Sequence, residues 1–222
     1  MSSPNLAHIE AQLESKNSRD RLLALAALRK VPAVDAVPLI KKVLNDKHMP
    51  VRSMAIFSLG VKPTEESYPI LVQLLETDPD YGIRADAAGA LGYLEDPRAF
   101  ENLVRAFYED TDWLVRFSVT VSLGNLKDPR ALDVLLQALE SEEEVMKQAA
   151  IAALGEIKAV SARDRILDFA QSEDWLLRQR LAEALGNLPG SKSRSALKFL
   201  AKDSNPSVAQ AAQISLEKLG KD

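Results

Sequence analysis

An arginine-centred pattern, Arg-x-x-Ala-x-x-x-Leu-Gly, returns along this chain every 31 or 32 residues. It reads Arg52, Ala55, Leu59, Gly60, and then Arg84, Ala87, Leu91, Gly92. Valine fills the second slot in Arg116, Val119, Leu123, Gly124, and lysine the first in Lys147, Ala150, Leu154, Gly155. A further copy runs Arg178, Leu181, Leu185, Gly186. Worn copies flank the series at Arg21, Ala24, Leu28 and at Ala209, Ala212, Leu216. A period of this size, held along a chain, means stacked supersecondary units that bury their apolar faces on one another. The unbroken period predicts one continuous array over residues 1–222 rather than two separate domains.

Each repeat reads as two helices. Asp80 stands four residues before Arg84, and Ile83, Ala87, Ala88, Leu91 and Leu94 follow at helical spacing. Asp96-Pro97-Arg98-Ala99 then supplies a capping carboxylate and a proline where the missing N–H costs nothing. The same punctuation returns at Asp128-Pro129-Arg130-Ala131. The position four before the anchor holds Asn17, His48, Asp80, Asp112, Glu143, Asp174 and Asn205. All but His48 and the weaker Glu143 are good helix N-caps. The expected fold is all-α, a HEAT-like right-handed α-solenoid of about seven helix pairs, with no credible strand.

Composition narrows the function. Aromatic residues are only 5% of the chain while hydrophobic ones are 46%, so Ala and Leu dominate and suit closely packed helices. Basic residues number 28 against 32 acidic, a net charge of −4, and the basic surplus expected of a nucleic-acid binder is missing. There is no cysteine, which excludes disulfides, thiolate metal sites and a cysteine nucleophile. Met1-Ser2-Ser3-Pro4-Asn5 leads into a charged amphipathic segment instead of a signal sequence. No apolar run reaches the ~18–20 residues that span a bilayer. A soluble, cytoplasmic protein without membrane insertion is expected.

The anchor arginines invite an anion-binding reading, but a repeated Asp–Arg contact between helices accounts for them better: Asp46, Asp78 and Asp110 each precede their arginine by six. The glycines at 60, 92, 124, 155 and 186 should let neighbouring helices approach closely. No Gly-x-Gly cluster follows a strand, so they are not a phosphate loop. The acidic run Glu140-Ser141-Glu142-Glu143-Glu144 reads as a solvated turn that favours the positive end of the next helix.

The pattern Val/Ile/Leu-Arg-x-x-Ala followed by Leu-Gly-x-Leu-x-Asp-Pro-Arg-Ala resembles the HEAT-like repeat named after phycobilisome lyases, over essentially the whole chain. That family includes subunits that attach or remove bilins on phycobiliproteins, a phycobilisome-degradation group, scaffolds and adaptors. Asp112-Trp113-Leu114-Val115-Arg116-Phe117-Ser118 and Asp174-Trp175-Leu176-Leu177-Arg178 are similar to the degradation, bilin-detaching group. A related cyanobacterial group is associated with an A-type iron–sulfur carrier. The resemblance implies a photosynthetic bacterium and a partner that is a phycobiliprotein or such a carrier.

In this repeat type the arginine-bearing helices are expected to line the concave face. Trp113 and Trp175 would then share one slot in repeats two apart, with Tyr81 and Met49 holding it in earlier copies. Leu114, Phe117 and Leu176 would surround the tryptophans, and Met54 and Phe57 would extend an apolar ribbon of the kind that soluble proteins seldom leave without a partner. Tyr93, Asn125, Glu156 and Asn187 would form its polar edge. The competing reading is that the aromatics plug gaps between helices. The core slots are already occupied by Ala, Val and Leu, which leaves the tryptophans surplus to packing.

Catalytic and metal motifs are missing. His8 and His48 are the only histidines and lie in different repeats, so a conventional zinc or iron site lacks ligands, and no cofactor is expected. No nucleophile elbow or Ser–His–Asp arrangement is present. Bilin removal could require only an acid such as Asp86 or Asp112 near a bound adduct. The expectation is a scaffold or adaptor gripping a folded partner, with a phycobilin lyase or detachase as the alternative.

Overall fold

The computed structural model describes residues 5–220. Among them are fourteen α-helices and no strand: α1 (Leu6–Leu13), α2 (Ser18–Leu28), α3 (Ala33–Lys41), α4 (Met49–Gly60), α5 (Ser67–Thr77), α6 (Tyr81–Leu94), α7 (Ala99–Glu109), α8 (Trp113–Asn125), α9 (Leu132–Leu139), α10 (Glu144–Glu156), α11 (Arg163–Leu167), α12 (Trp175–Leu185), α13 (Ser191–Leu200) and α14 (Pro206–Leu219). Single 3₁₀ turns precede α9 and flank α11. The anchor pattern occupies the even-numbered helices, and the HEAT-like α-solenoid class follows from seven odd–even pairs. Two compact units divide within α8, the first ending at Val119 and the second beginning at Thr120.

Helix starts obey the capping logic. Side chains of Asn17, Asp80, Asp112, Asp174 and Asn205 accept backbone N–H groups in the first turns of α2, α6, α8, α12 and α14. His48 and Glu143 make no side-chain cap. Asp96 and Asp128 each accept the N–H two residues on, at 2.9 Å. Glu140 to Glu143 form the connection into α10, with Glu144 in its first turn.

The repeated apolar slots are the core. Val51, Ile83, Met146, Leu177 and Val208, each one before an anchor position, are buried, as are Ala24, Ala55, Ala87, Ala150, Leu181 and Ala212, each three after. In the first unit α4 packs on α6 and α2, with α5 seated against α4 and α6; in the second, α12 lies between α10 and α14. The small anchor glycines permit this. A Cβ on Gly60 would lie 2.7 Å from the Ala90 carbonyl oxygen, on Gly124 2.8 Å from the Ala153 Cβ, and on Gly155 2.7 Å from the Ala184 Cα. Gly186 meets Ser215 in the same way.

The Asp–Arg contact is repeated, but its register differs from the six-residue spacing. Arg84 forks onto Asp110 with Nε–Oδ2 at 2.6 Å and Nη2–Oδ1 at 3.1 Å, and Arg178 does so onto Asp203 at 2.7 and 3.0 Å. Arg21 reaches Asp46 at 2.9 Å, and Arg52 pairs with Asp78. Each arginine thus grips the aspartate of the following repeat. From six residues back three of them take a main-chain carbonyl, Ser15 for Arg21, Asp78 for Arg84 and Ser172 for Arg178, while Arg52 takes that of Leu44. The physical reason is geometric. The loop before an anchor helix turns its aspartate Oδ1 onto the N–H two residues on, at 2.8–3.0 Å in all four cases. That places the carboxylate within reach of the preceding repeat's guanidinium.

Burial pushes the Asp46 and Asp110 carboxyls up, but their arginines and the N–H groups of His48 and Asp112 outweigh it and hold both below the usual carboxylate range. The Arg178 guanidinium lowers Asp203 against a weaker opposing effect of burial. A carboxylate with a depressed folded-state pKa contributes stability above its unfolded value, about 4, and loses it as pH falls through the folded one.

Asp110→Ala or Asp203→Ala should cost about 2–4 kcal/mol in denaturant unfolding, because a largely buried guanidinium is stranded. In the wild type the unfolding midpoint should drop steeply below about pH 4, and Asp110→Asn should flatten that dependence. Gly155→Ala should destabilise by about 1–3 kcal/mol despite alanine's better helix propensity, since Ala184 occupies the space.

Candidate functional site

With the arginines committed to the ladder and the glycines to helix contacts, the outward positions of the even-numbered helices are left over. In the first unit these carry aromatic and apolar groups. Met49 and Phe57 on α4, Tyr81 and Tyr93 on α6 and Trp113 on α8 are exposed, Trp113 to 48% and Tyr93 to 57%. Met54, Asp86, Leu114 and Phe117 are half-buried on the same helices. Phe57 meets Tyr93 edge to face, with ring centroids 5.6 Å apart, so α4 and α6 share one aromatic surface. Trp113 and Phe117, one turn apart on α8, stand 6.5 Å apart at 60°. Trp113 keeps about half of its surface open, and edge-to-face pairing holds the rings in place while leaving area exposed.

The second unit differs. Trp175 begins α12 and is 43% exposed, with Leu176 half-buried beside it. The outward positions of α12 and α14 are mostly polar. They line an open trough of about 490 Å³ with Glu156, Gln179, Glu183, Asn187, Gln210 and Ile214 on its walls. Gln179 and Arg180 both bond Glu183, at 3.0 and 2.8 Å, and Lys218 holds Asn187. Trp113 and Trp175 belong to different units.

A second recess, about 500 Å³, runs along Glu76, Asp78, Arg84, Arg105 and Asp110. Arg105 pairs there with Glu76 and Arg84 with Asp110, and Asp78 is held by Arg52, so the recess belongs to the ladder. Of the two acids considered for chemistry, Asp112 is occupied in capping α8 at 2.9 Å. Asp86 makes no hydrogen bond or ion pair among the described residues. Among those residues no group of three or more His, Asp or Glu is gathered as a metal site, and no helix is long and apolar enough to cross a membrane.

One feature of α6 escaped the sequence reading. Gly82, Asp86, Gly89 and Tyr93 are spaced 4, 3 and 4 apart, a single line along the helix. Gly89 does not belong to the anchor series, and a Cβ built there meets nothing within 4 Å. The visible signal was a glycine in the middle of a helix away from the Leu-Gly slot.

Models of HEAT repeats match residues 6–92, 68–154 and 132–217. The chain belongs to the HEAT-repeat family. No curated protein sequence matches it significantly. Among solved structures, the complex of CpcE and CpcF of phycocyanin lyase from Nostoc sp. is similar at 20% identity and a TM-score of 0.64, covering 99% of this chain and 96% of that one. YibA of Escherichia coli is similar at 17% identity and 0.61, covering 97% and 92%. A chain of the Kap95p–RanGDP complex matches at 16% identity and 0.62, over all of this chain and 36% of the other. At these identities the likeness establishes the fold of this HEAT-repeat protein and nothing finer.

Gly89→Ala should raise the unfolding free energy by about 0.5–1 kcal/mol, the opposite sign to Gly155→Ala, because helix propensity improves and no neighbour is struck.

Proposed function

We propose that this HEAT-repeat protein is a scaffold or adaptor that grips one folded protein partner on the face of its even-numbered helices. The observation that carries this reading is the open aromatic surface of the first unit, where Phe57, Tyr81, Tyr93 and Trp113 stand exposed on three anchor helices. Rigid aromatic groups on a helical layer lose little entropy on binding and supply the anchors that dominate protein interfaces. Trp175, with Leu176, serves as a further anchor in the second unit. The partner we favour is a phycobiliprotein or an A-type iron–sulfur carrier, supported by the repeat resemblance to phycobilisome-lyase-type proteins.

A phycobilin lyase or detachase is the second reading. One observation favours it: the shared fold with CpcE and CpcF of phycocyanin lyase, together with Asp86, an acid left without a structural partner on the same face. In that case Asp86 would act as a general acid toward a chromophore adduct brought by the partner.

Purified protein mixed with holo-phycocyanin, and separately with an A-type carrier, should co-elute with one of them on gel filtration. An unchanged red absorbance supports the scaffold; loss of covalent bilin beyond a protein-free control supports the detachase. Trp113→Ala with Trp175→Ala should weaken the complex at least ~10-fold while helical content and melting stay at wild-type values. Unchanged affinity in that double variant would contradict the site.

A further inference from the structure

We infer that the α6 stripe is the floor of a docking trough for a partner segment that inserts an arginine or lysine side chain between apolar neighbours. This deepens the protein-binding reading and rests on it.

The first support is Gly89. Gly60, Gly124, Gly155 and Gly186 are explained inside the molecule, each lying against a neighbouring helix closely enough that a Cβ would collide. Gly89 has open space before it. Glycine in a helix interior is a cost that intramolecular packing does not require at this position. Close approach of another chain's atoms to the α6 backbone does require it. Gly82, one turn below Asp86 on the same line, also carries no side chain, and the Asp80 carboxylate that caps the helix lies against it.

The second support is charge. Asp86 lies between these two glycines, so no side chain on the adjoining turns of its line covers the carboxylate. It has no cationic partner among the described residues. On α4 and α8 the outward residues of the first unit include the apolar Met54, Phe57, Leu114 and Phe117, while the exposed Arg116 on α8 acts on Asp110. An unpaired anion beside apolar groups gains from a single cation, because closure over it removes the water that screens it. Tyr93, two turns on along the same line of α6, offers an exposed ring to a cationic segment. A segment presenting an acid here would be repelled, so the trough selects by sign as well as by shape.

The test uses the full-length protein, immobilised and panned with a displayed library of random short peptides. Retained peptides should share an arginine or lysine flanked by apolar residues. They should bind Gly89→Leu and Asp86→Asn roughly tenfold more weakly or worse. Both variants should keep the helical circular dichroism of the wild type, with melting unchanged in Asp86→Asn and unchanged or raised in Gly89→Leu, since Gly89 faces empty space and Asp86 holds nothing. Asp86→Lys should shift the retained set toward acidic peptides. Enrichment without a basic residue, no selective enrichment, or undiminished binding to Gly89→Leu would each overturn the inference. A wild-type dimer that Gly89→Leu splits on gel filtration would assign the trough to a second copy and overturn it as well. Failure here is separable from failure of the scaffold reading: a phycobiliprotein or carrier complex that survives Gly89→Leu and Asp86→Asn keeps the scaffold and removes the trough.

Discussion

The contact on which everything else depends is the bare Cα near the end of four anchor helices, seated on an alanine or serine of the next. Gly60 on Ala90, Gly124 on Ala153, Gly155 on Ala184 and Gly186 on Ser215 bring successive even-numbered helices together at backbone distance. The arginine ladder works at the other end of the same helices, eight residues or ~12 Å earlier. Where both devices are present, one helix is pinned to its successor twice, by a charge pair near its start and by backbone packing near its end. Positions between the pins that face outward carry no structural duty. That freedom allows the face to hold Phe57 on one helix, Asp86 on the next and Phe117 on a third without loss of fold.

The ladder also shows how local its chemistry is. Arg21, Arg52, Arg84 and Arg178 each find an aspartate one repeat on. At the loop positions before α10 and α12 the aspartate is replaced by Ser141 and Ser172. Lys147 bonds Glu144 within its own helix, and Gln148 bonds Asp174 at 2.7 Å, so α10 keeps a polar tie to the following loop through a neighbouring residue. The loop serines retain the second task of the aspartates, as Ser141 and Ser172 each accept the N–H two residues on at 3.2 Å. Loop geometry and inter-repeat charge pairing are thus separable functions of one position.

Much of this was legible in the residues. The period assigns the fold because only stacked helix pairs repay a 31–32-residue repeat, and the five good caps were readable because capping is local chemistry. The Asp–Arg register was not readable: Asp78 is six residues before Arg84 and 26 after Arg52, and sequence distance favours the wrong arginine. Spatial adjacency in a repeat protein is set by the next copy. Exposure of Trp113 was expected, because the core slots were already filled, but the pairing of Phe57 with Tyr93 across helices needed coordinates. Gly89 was overlooked because the period draws attention to Gly92, three residues later, and only the empty space before it separates the two kinds of glycine.

The central claim is that the even-helix face of the first unit is where a protein partner is held. Differential hydrogen exchange of the protein, free and bound to the phycobiliprotein or carrier with which it co-elutes, tests this most directly. The account predicts slowed exchange in α4, α6 and the start of α8, with α3, α5 and α7 unchanged. Protection confined to the odd-numbered helices, with the α6 amides from Gly82 to Tyr93 exchanging as in the free protein, would contradict it.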